Sequence, residues 1–356
     1  MSQGRFSGVL AKRAPGFTGA VFVGALALWF TSCGKKTGTP EWGREEVGKP
    51  AVAEVSNSVV AKPVSGRTKT AQAPPSAVAP PSTEGLRFIT YNVENWLAMD
   101  RFTDQKPSQN APKPAAEKQA VIDILVSHSP DIVGLCEIGE AGDLAEIQNS
   151  LKAAGLDLPH VLYTGGSDPI RHLGLLSRFP ITSRAKPAET DYQLKGRTFA
   201  INRGILDATI RARGKSYRFL GVHLKSKREV EEADQEEMRI HEARLLRHHV
   251  DAILLTDTDA RLIVYGDFND TRPSKAFRTV TGNYNDPGYL TAIPAKDSRG
   301  EAWTHHWALH DTYSRFDYIT VTRMLKPEVD FKTSRIIDDP SWSEASDHRP
   351  VLAVFK

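Results

Sequence analysis

Two short segments carry side chains suited to work on a phosphoester: Gly266-Asp267-Phe268-Asn269-Asp270 and Ser346-Asp347-His348. Cleaving such a bond requires charge on the phosphoryl oxygens to be neutralised, a water to be oriented and the departing oxygen to be protonated. Carboxylates serve the first two tasks by holding Mg²⁺ or Mn²⁺, and histidine exchanges protons near neutral pH. Glu137, Asp317, Asn92 and His223 complete a set of polar residues beside apolar runs. In an extended backbone Asp267 and Asn269 share one side and Phe268 takes the other. Asp347-His348 instead needs a bend to aim both groups at one centre, and Pro350 restricts the chain just beyond. Each residue also has a plain structural reading. Gly, Asp and Asn build surface turns; His348 fits a cap or the surface, His223 the edge of a core, and Glu137 a salt bridge or helix cap.

The elements that must position these residues are legible from hydrophobic spacing. Strands are expected over 86–92, 131–138, 173–177, 205–211, 217–224, 261–265, 316–321 and 351–355. A helix is expected over 115–126, stopped by Ser129-Pro130. A second helix carries Leu144, Ile147, Leu151 and Ala154 and closes at Gly155. A long third helix is expected over 229–251, with acids at its start, where exposed amides favour them, and an apolar stripe of Ala243, Leu246, Val250 and Ile253. Residues 100–113 read as a polar loop. Strands separated sometimes by helices and sometimes by turns fit mixed sheets covered by helices, not a regular parallel barrel.

Length and composition allow this. The 356 residues are 40% apolar and 25% charged, which excludes bulk disorder. Residues 1–33 have a basic leader (Arg5, Lys12, Arg13) and an uncharged, mostly apolar run over 17–30, too short for a durable membrane span. The run ends in Phe30-Thr31-Ser32-Cys33-Gly34, which looks like a bacterial lipoprotein processing site with lipidation at Cys33, although Phe30 stands where leucine is common. A membrane anchor without lipid on Cys33 is the other reading. Residues 34–84, with the run AQAPPSAVAPPS, read as a Pro/Ala-rich disordered tether. The rest of the chain holds 36 basic and 38 acidic side chains, a net of −2, so the formal +3 of the chain comes from leader and tether. A broad basic footprint for tight nonspecific DNA binding is therefore absent, which does not exclude a nuclease that uses bound cations. Two cysteines, Cys33 and Cys136, exclude a disulfide framework, and Cys136 reads as a small buried hydrophobe.

Seven segments, in order, resemble the endonuclease/exonuclease/phosphatase superfamily with its DNase I-like fold, over 85–356. They are Tyr91-Asn92-Val93-Glu94-Asn95, Leu135-Cys136-Glu137-Ile138, Leu175-Leu176-Ser177-Arg178-Phe179-Pro180, His223-Leu224-Lys225-Ser226, Gly266-Asp267-Phe268-Asn269-Asp270, Arg315-Phe316-Asp317-Tyr318 and Ser346-Asp347-His348-Arg349-Pro350. The resemblance implies an α/β fold: a two-sheet sandwich flanked by helices in four layers (α/β/β/α), with a shared site at one sheet edge. It implies Glu137 as the main metal ligand, assisted by Asn92 and Asp347, with Mg²⁺ or Mn²⁺ as the cofactor. Asp267 and Asn269 would position or activate water and contact the phosphate, His348 would do acid–base or electrostatic work oriented by Asp317, and His223 would stabilise phosphoryl oxygens or the leaving group.

Around that set, Arg171 suits a second substrate phosphate or a solvated loop. Lys225 suits a phosphate contact or a salt-bridged strand end. Trp303 and the run His305-His306-Trp307 suit base stacking or core packing. The expected activity is metal-dependent phosphodiester hydrolysis of nucleic acid at the bacterial cell envelope, with the domain outside the cytoplasm, membrane attachment through the N-terminus and no obligate protein partner. The alternative is a phosphatase or phosphodiesterase on nucleotides, inositol phosphates or phospholipids, and a noncatalytic binding domain is the minor third reading.

Overall fold

The computed structural model describes residues 85–103 and 106–356. The expected leader over 1–33, the Cys33 lipidation site and the tether over 34–84 lie outside the described residues. In chain order the first half forms β1 (Leu86–Trp96), β2 (Met99–Thr103), β3 (Lys106–Ala111), α1 (Ala115–His128), β4 (Ile132–Ile138), α2 (Ala141–Ala153), β5 (His160–Thr164), β6 (His172–Ser177) and β7 (Ile181–Ala185). The middle adds β8 (Asp191–Leu194), β9 (Arg197–Ala200), β10 (Ile205–Ala212), β11 (Lys215–His223), α3 (Gln235–Thr256), β12 (Leu262–Asp267) and α4 (Lys275–Thr281). The last part adds β13 (Thr291–Ala292), β14 (His305–Trp307), β15 (Thr312–Ser314), β16 (Asp317–Val321), β17 (Arg335–Ile336), α5 (Trp342–Ala345) and β18 (Val351–Phe355).

Two six-stranded sheets result, ordered β17-β18-β1-β4-β6-β5 and β13-β16-β12-β11-β10-β7. Phe88, Leu175, Ala208, Phe219 and Tyr265 belong to the core between them. Alternate residues of the same strands point outward: Ile89 and Val133 pack with Val121, Leu125 and Leu144 of α1 and α2, while Leu220 and Val264 pack with Leu246 and Phe277 of α3 and α4. This is the expected four-layer sandwich, and its period-2 alternation feeds an apolar layer on each face of each sheet. Among the described residues no helix is long and apolar enough to cross a membrane.

Three expectations need correction. The polar stretch 100–113 is not a plain loop: β2 and β3 pair there as an antiparallel hairpin. The third helix begins at Gln235 rather than 229, because the Asp234 side chain accepts the Glu237 N–H and caps the helix there; it continues to Thr256. The first strand runs past Asn92 to Trp96 through a register shift at which Glu94 and Asn95 adopt φ of 48° and 56°. That irregularity turns the strand end toward the functional edge of the sandwich.

One glycine at this edge is sterically required. Gly266 has φ 127°, and a Cβ there would lie 1.9 Å from the Val222 carbonyl oxygen. Gly266→Ala is expected to destabilise the chain by about 3 kcal/mol, from clash plus backbone strain. Urea unfolding checks this; a change under about 1 kcal/mol would show that the β11–β12 seam can relax.

Candidate active site

Strand direction gathers the polar residues. β1 and β4 are parallel, as are β11 and β12, and helices α1 and α3 make the crossovers. Parallel neighbours end on the same edge, which brings Asn92 opposite Cys136 and His223 opposite Asp267. β16 and β18 run antiparallel to β12 and β1 and so begin at that edge. Asp317 is thereby set opposite Asp267, and His348 arrives just before β18.

Glu137 owes its direction to a bulge. The pairing of β4 shifts register between Cys136 and Ile138, and Glu137 takes φ 65°. Cys136 stays in the core between the sheets while Glu137 is turned into the cleft. There Glu137 Oε2 accepts the Asn95 N–H at 3.0 Å, and Oε1 accepts from Asn92 Nδ2 at 3.2 Å. Asn92 Nδ2 also donates to Asp267 Oδ2 at 3.1 Å. The Asn92 side-chain oxygen is held away by the Glu94 N–H, 3.1 Å from it, which fixes the amide orientation. Asn92 thus presents donors to two carboxylates and not an oxygen to a cation, in contrast to the expected ligand role.

The segment after β12 reaches the expected arrangement by a turn and not by extension. The Asn269 N–H donates to Asp267 Oδ1 at 2.8 Å with φ 49°, and Asn269 Nδ2 donates to the Leu224 carbonyl at 2.9 Å. Phe268 is driven into the layer beneath the helices. Short side-chain-to-backbone bonds of this kind suit Asp and Asn, which tolerate the left-handed region.

Two histidines face the same carboxylate with opposite electrostatics. His348 Nδ1 lies 2.8 Å from Asp317 Oδ2, and its Nε2 lies 3.7 Å from Asp267 Oδ2. Burial opposes charge on His348, but Asp317, Asp347 and Asp267 outweigh it and hold the imidazole protonated well above its ordinary range. His223 Nε2 lies 3.6 Å from the same Asp267 oxygen. Burial, followed by Arg203 and His348, pushes His223 well below its ordinary range, so it is neutral. Its Nδ1 is buried without a hydrogen-bond partner. Burial raises Asp267 to about 6, with His348 opposing and Asp317 adding to the rise. A charged acid, a neutral imidazole and a carboxylate of raised basicity therefore share one point, the pattern that assigns proton donors and acceptors.

The donor set fits a divalent cation. Asp347 is raised to about 7 by burial, with His348 opposing and the charges of Glu94, Glu137 and Asp267 adding to the rise. These carboxylates repel one another, and a cation relieves that repulsion. Ligand atoms of His305, Asp347 and His348 lie within 4.8 Å of one another, as do those of Asp267, Asp317 and His348. In the second group Asp317 and His348 are already bonded to each other, so the more open side, with Glu137, Glu94, Asp347 and His305, suits the ion better. Because Asp347 is raised to about 7, cation and proton compete for it. Mg²⁺ or Mn²⁺ affinity is expected to weaken as pH falls from 7.5 to 6, with protons released on binding. Calorimetry in buffers of different ionisation enthalpy measures this, and a pH-independent affinity would contradict it.

The cleft encloses about 300 Å³ and is lined by Glu137, Asp267, Asn269, Asp347, His348 and His223 of the expected set, and by Arg171. Asn92 and Asp317 support them from below. Two expected substrate contacts lie elsewhere. Lys225 is buried, with Nζ on the Arg228 carbonyl at 3.2 Å and its N–H on Glu242 at 2.6 Å. Trp303 packs under the Arg349 guanidinium at 3.3 Å and against Trp342. Of the aromatic run only His305 reaches the cleft, its ring 4.6 Å from that of His348.

Glu94, Asn95, Arg203 and Arg228 also line the cleft and were missed by sequence reasoning. The Asn92-Val93-Glu94-Asn95 run contains the first two, but only the bulge aims them inward. Nothing in the polar stretch around Arg203 marks it.

Comparison with known proteins agrees with this geometry. Solved structures with the same fold include an endonuclease/exonuclease/phosphatase family protein from Leptotrichia buccalis (TM-score 0.54, 16% identity, covering 76% of this chain and 99% of that one). They also include sphingomyelinase C from Streptomyces griseocarneus (0.51, 16%, 77% and 100%) and the human Nocturnin catalytic domain with bound sulfate (0.54, 18%, 76% and 94%). No curated protein matches the chain by sequence. The fold, the clustered His and Asp ligands and the family match together make this chain a metal-dependent phosphoester hydrolase. The model of the endonuclease/exonuclease/phosphatase family matches residues 89–348, and the chain belongs to that family.

Proposed function

We propose that the cleft hydrolyses phosphodiesters of nucleic acid by direct attack of water on phosphorus. The observation that carries the reading is Asp267, flanked by protonated His348 at 3.7 Å and neutral His223 at 3.6 Å. A divalent cation held by Glu137 and Asp347 would neutralise charge on the phosphoryl oxygens. Asp267, at about 6, accepts the proton of the attacking water and is oriented by Asn92 and the Asn269 N–H. His348, locked by Asp317 on Nδ1, turns Nε2 toward the phosphoryl centre, where it stabilises developing negative charge and protonates the departing oxygen. His223 supplies a hydrogen bond on the opposite flank. The serine and cysteine side chains play no nucleophilic part; Cys136 is buried between the sheets.

Arg171, Arg203 and Arg228 along one wall favour a polyanionic substrate. The small volume of the cleft favours the second reading, a nucleotide, inositol phosphate or phospholipid head group. A sphingomyelinase shares the fold. Assaying the full chain side by side on plasmid DNA, RNA, nucleotides, inositol phosphates and phospholipid vesicles with Mg²⁺ or Mn²⁺ separates the two. Cleavage of nucleic acid at the highest kcat/KM is expected, and robust turnover of the small phosphoesters with none on nucleic acid would overturn the choice.

The apolar run over 17–30 and Cys33 support attachment at the bacterial envelope. Cys33→Ser should then move the chain from the membrane to the soluble fraction; unchanged sedimentation would assign attachment to the apolar run.

A further inference from the structure

The wall of the cleft beside His223 is built from two loops, β5–β6 and β9–β10. They are joined through backbone: the Ser167 N–H donates to Ile201 O at 3.1 Å and the Asp168 N–H to Asn202 O at 2.7 Å. The approach is so close that a Cβ on Gly166 would lie 2.2 Å from Ile201 O, and one on Gly204, at φ 74°, would lie 2.4 Å from Gly165 O. Only glycines permit this seam. Its product is the fixed position of Arg203, which is 7% exposed yet lines the cleft.

The Arg203 guanidinium is under-satisfied. Nε and Nη1 are buried with no hydrogen-bond partner, and the 3.3 Å ion pair of Nε with Asp168 Oδ2 does not satisfy Nε as a hydrogen bond. Asp168 is shared, since its Oδ1 accepts the N–H groups of Ile170 and Arg171. Arg171 joins the same wall, with Nε anchored at 2.8 Å on Asn95 Oδ1. Glu242 lies behind this wall, but its two oxygens accept the backbone N–H groups of Asn202 and Lys225. The cleft-lining cations Arg171, Arg203 and Arg228 thus outnumber Asp168 and Glu242. A buried guanidinium with unmet donors is costly unless something supplies acceptors, and its planar fork matches a tetrahedral oxyanion.

We propose that Arg203, with Arg171, forms an anion subsite that binds a phosphate neighbouring the one that is cleaved. The substrate class is therefore one carrying adjacent phosphates. This deepens the phosphodiesterase reading and rests on it for the identity of the cleaved bond, while the subsite itself is testable without turnover.

The experiment is calorimetric titration of inorganic phosphate into the full chain with EDTA present and ionic strength fixed, so that no cation bridges the anion. Wild type is expected to bind phosphate, and Arg203→Met, which keeps the side-chain length and loses the donors, is expected to weaken binding at least tenfold. In turnover the same variant should raise KM for a dinucleotide bearing a terminal phosphate at least tenfold. For the dinucleotide without that phosphate the rise in KM should be at least threefold smaller; a purely structural role would move both alike. Should Arg203→Met fail to fold, Arg171→Met, on the less buried member, decides by the same readouts. Equal phosphate affinity in wild type and variants, or none in wild type, overturns the subsite. Phosphate binding that depends on Arg203 in a chain that cleaves no phosphoester would instead sustain the subsite and overturn the proposed reaction.

Discussion

Replacing His348 with glutamine is expected to lower kcat by roughly 10²–10⁴-fold, the range general acid–base groups supply. Glutamine is the better test because alanine would leave Asp317 buried without its partner, confusing lost chemistry with lost stability: Asp317 Oδ2 is bonded to His348 at 2.8 Å and Oδ1 has no partner. The companion change, Asp317→Asn, should act through His348. Asp317 is the first of the charges that raise the imidazole against the opposing effect of burial. Removing that charge lowers the His348 pKa, and because the protonated form is the active one, the alkaline limb of the kcat/KM profile should move to lower pH. Wild-type turnover in His348→Gln, or an unmoved alkaline limb in Asp317→Asn, would take His348 out of the acid role.

Glu137→Gln is expected to weaken Mn²⁺ or Mg²⁺ binding by about a hundredfold or more, since even partners behind metal ligands cost tenfold to hundredfold when altered. The variant should fold. The bulge that aims residue 137 is a backbone feature, and glutamine retains an acceptor for the Asn95 N–H. It cannot serve Asn92 Nδ2 equally, because its own amide nitrogen competes for that position. Part of the lost activity should return at saturating cation. Mn²⁺ titration followed by electron paramagnetic resonance, beside kcat against cation concentration, reads both effects. A Glu137→Gln chain with wild-type cation dependence would move the metal to other ligands, with His305 and Asp347 next in line.

Much of the molecule was legible because its central strands are short, continuous apolar runs buried on both faces and its longest helix carries an apolar stripe. β18 falls at the expected residues, and the apolar stripe of α3 is buried as expected. The ends of elements were less legible, since they depend on side chains that bond backbone locally. Asp234 delays α3, and the paired β2 and β3 occupy a stretch whose polarity gave no strand pattern. At the site, residues beside apolar strands stood out because a strand end fixes its neighbours in space, but Glu137, Asp267, His223 and Asp317 were joined into one set by the resemblance of seven ordered segments to a known family. Residue direction could not be found. Asn92 lies where expected but offers its nitrogen, because one Glu94 N–H claims its oxygen. Lys225 follows His223 by two residues yet turns to the Arg228 carbonyl. Arg203 reaches the cleft only through two loops from opposite sheets meeting at Gly166 and Gly204, a contact with no local sequence pattern.

The most direct test of the central claim is phosphodiester hydrolysis by the full chain before chelation, after EDTA, and after Mg²⁺ or Mn²⁺ is restored. Hydrolysis that stops on chelation and returns with the cation is the predicted result. Hydrolysis that continues unchanged in EDTA, or no hydrolysis of any phosphoester with either cation present, would contradict a cation-dependent site at Glu137 and Asp347.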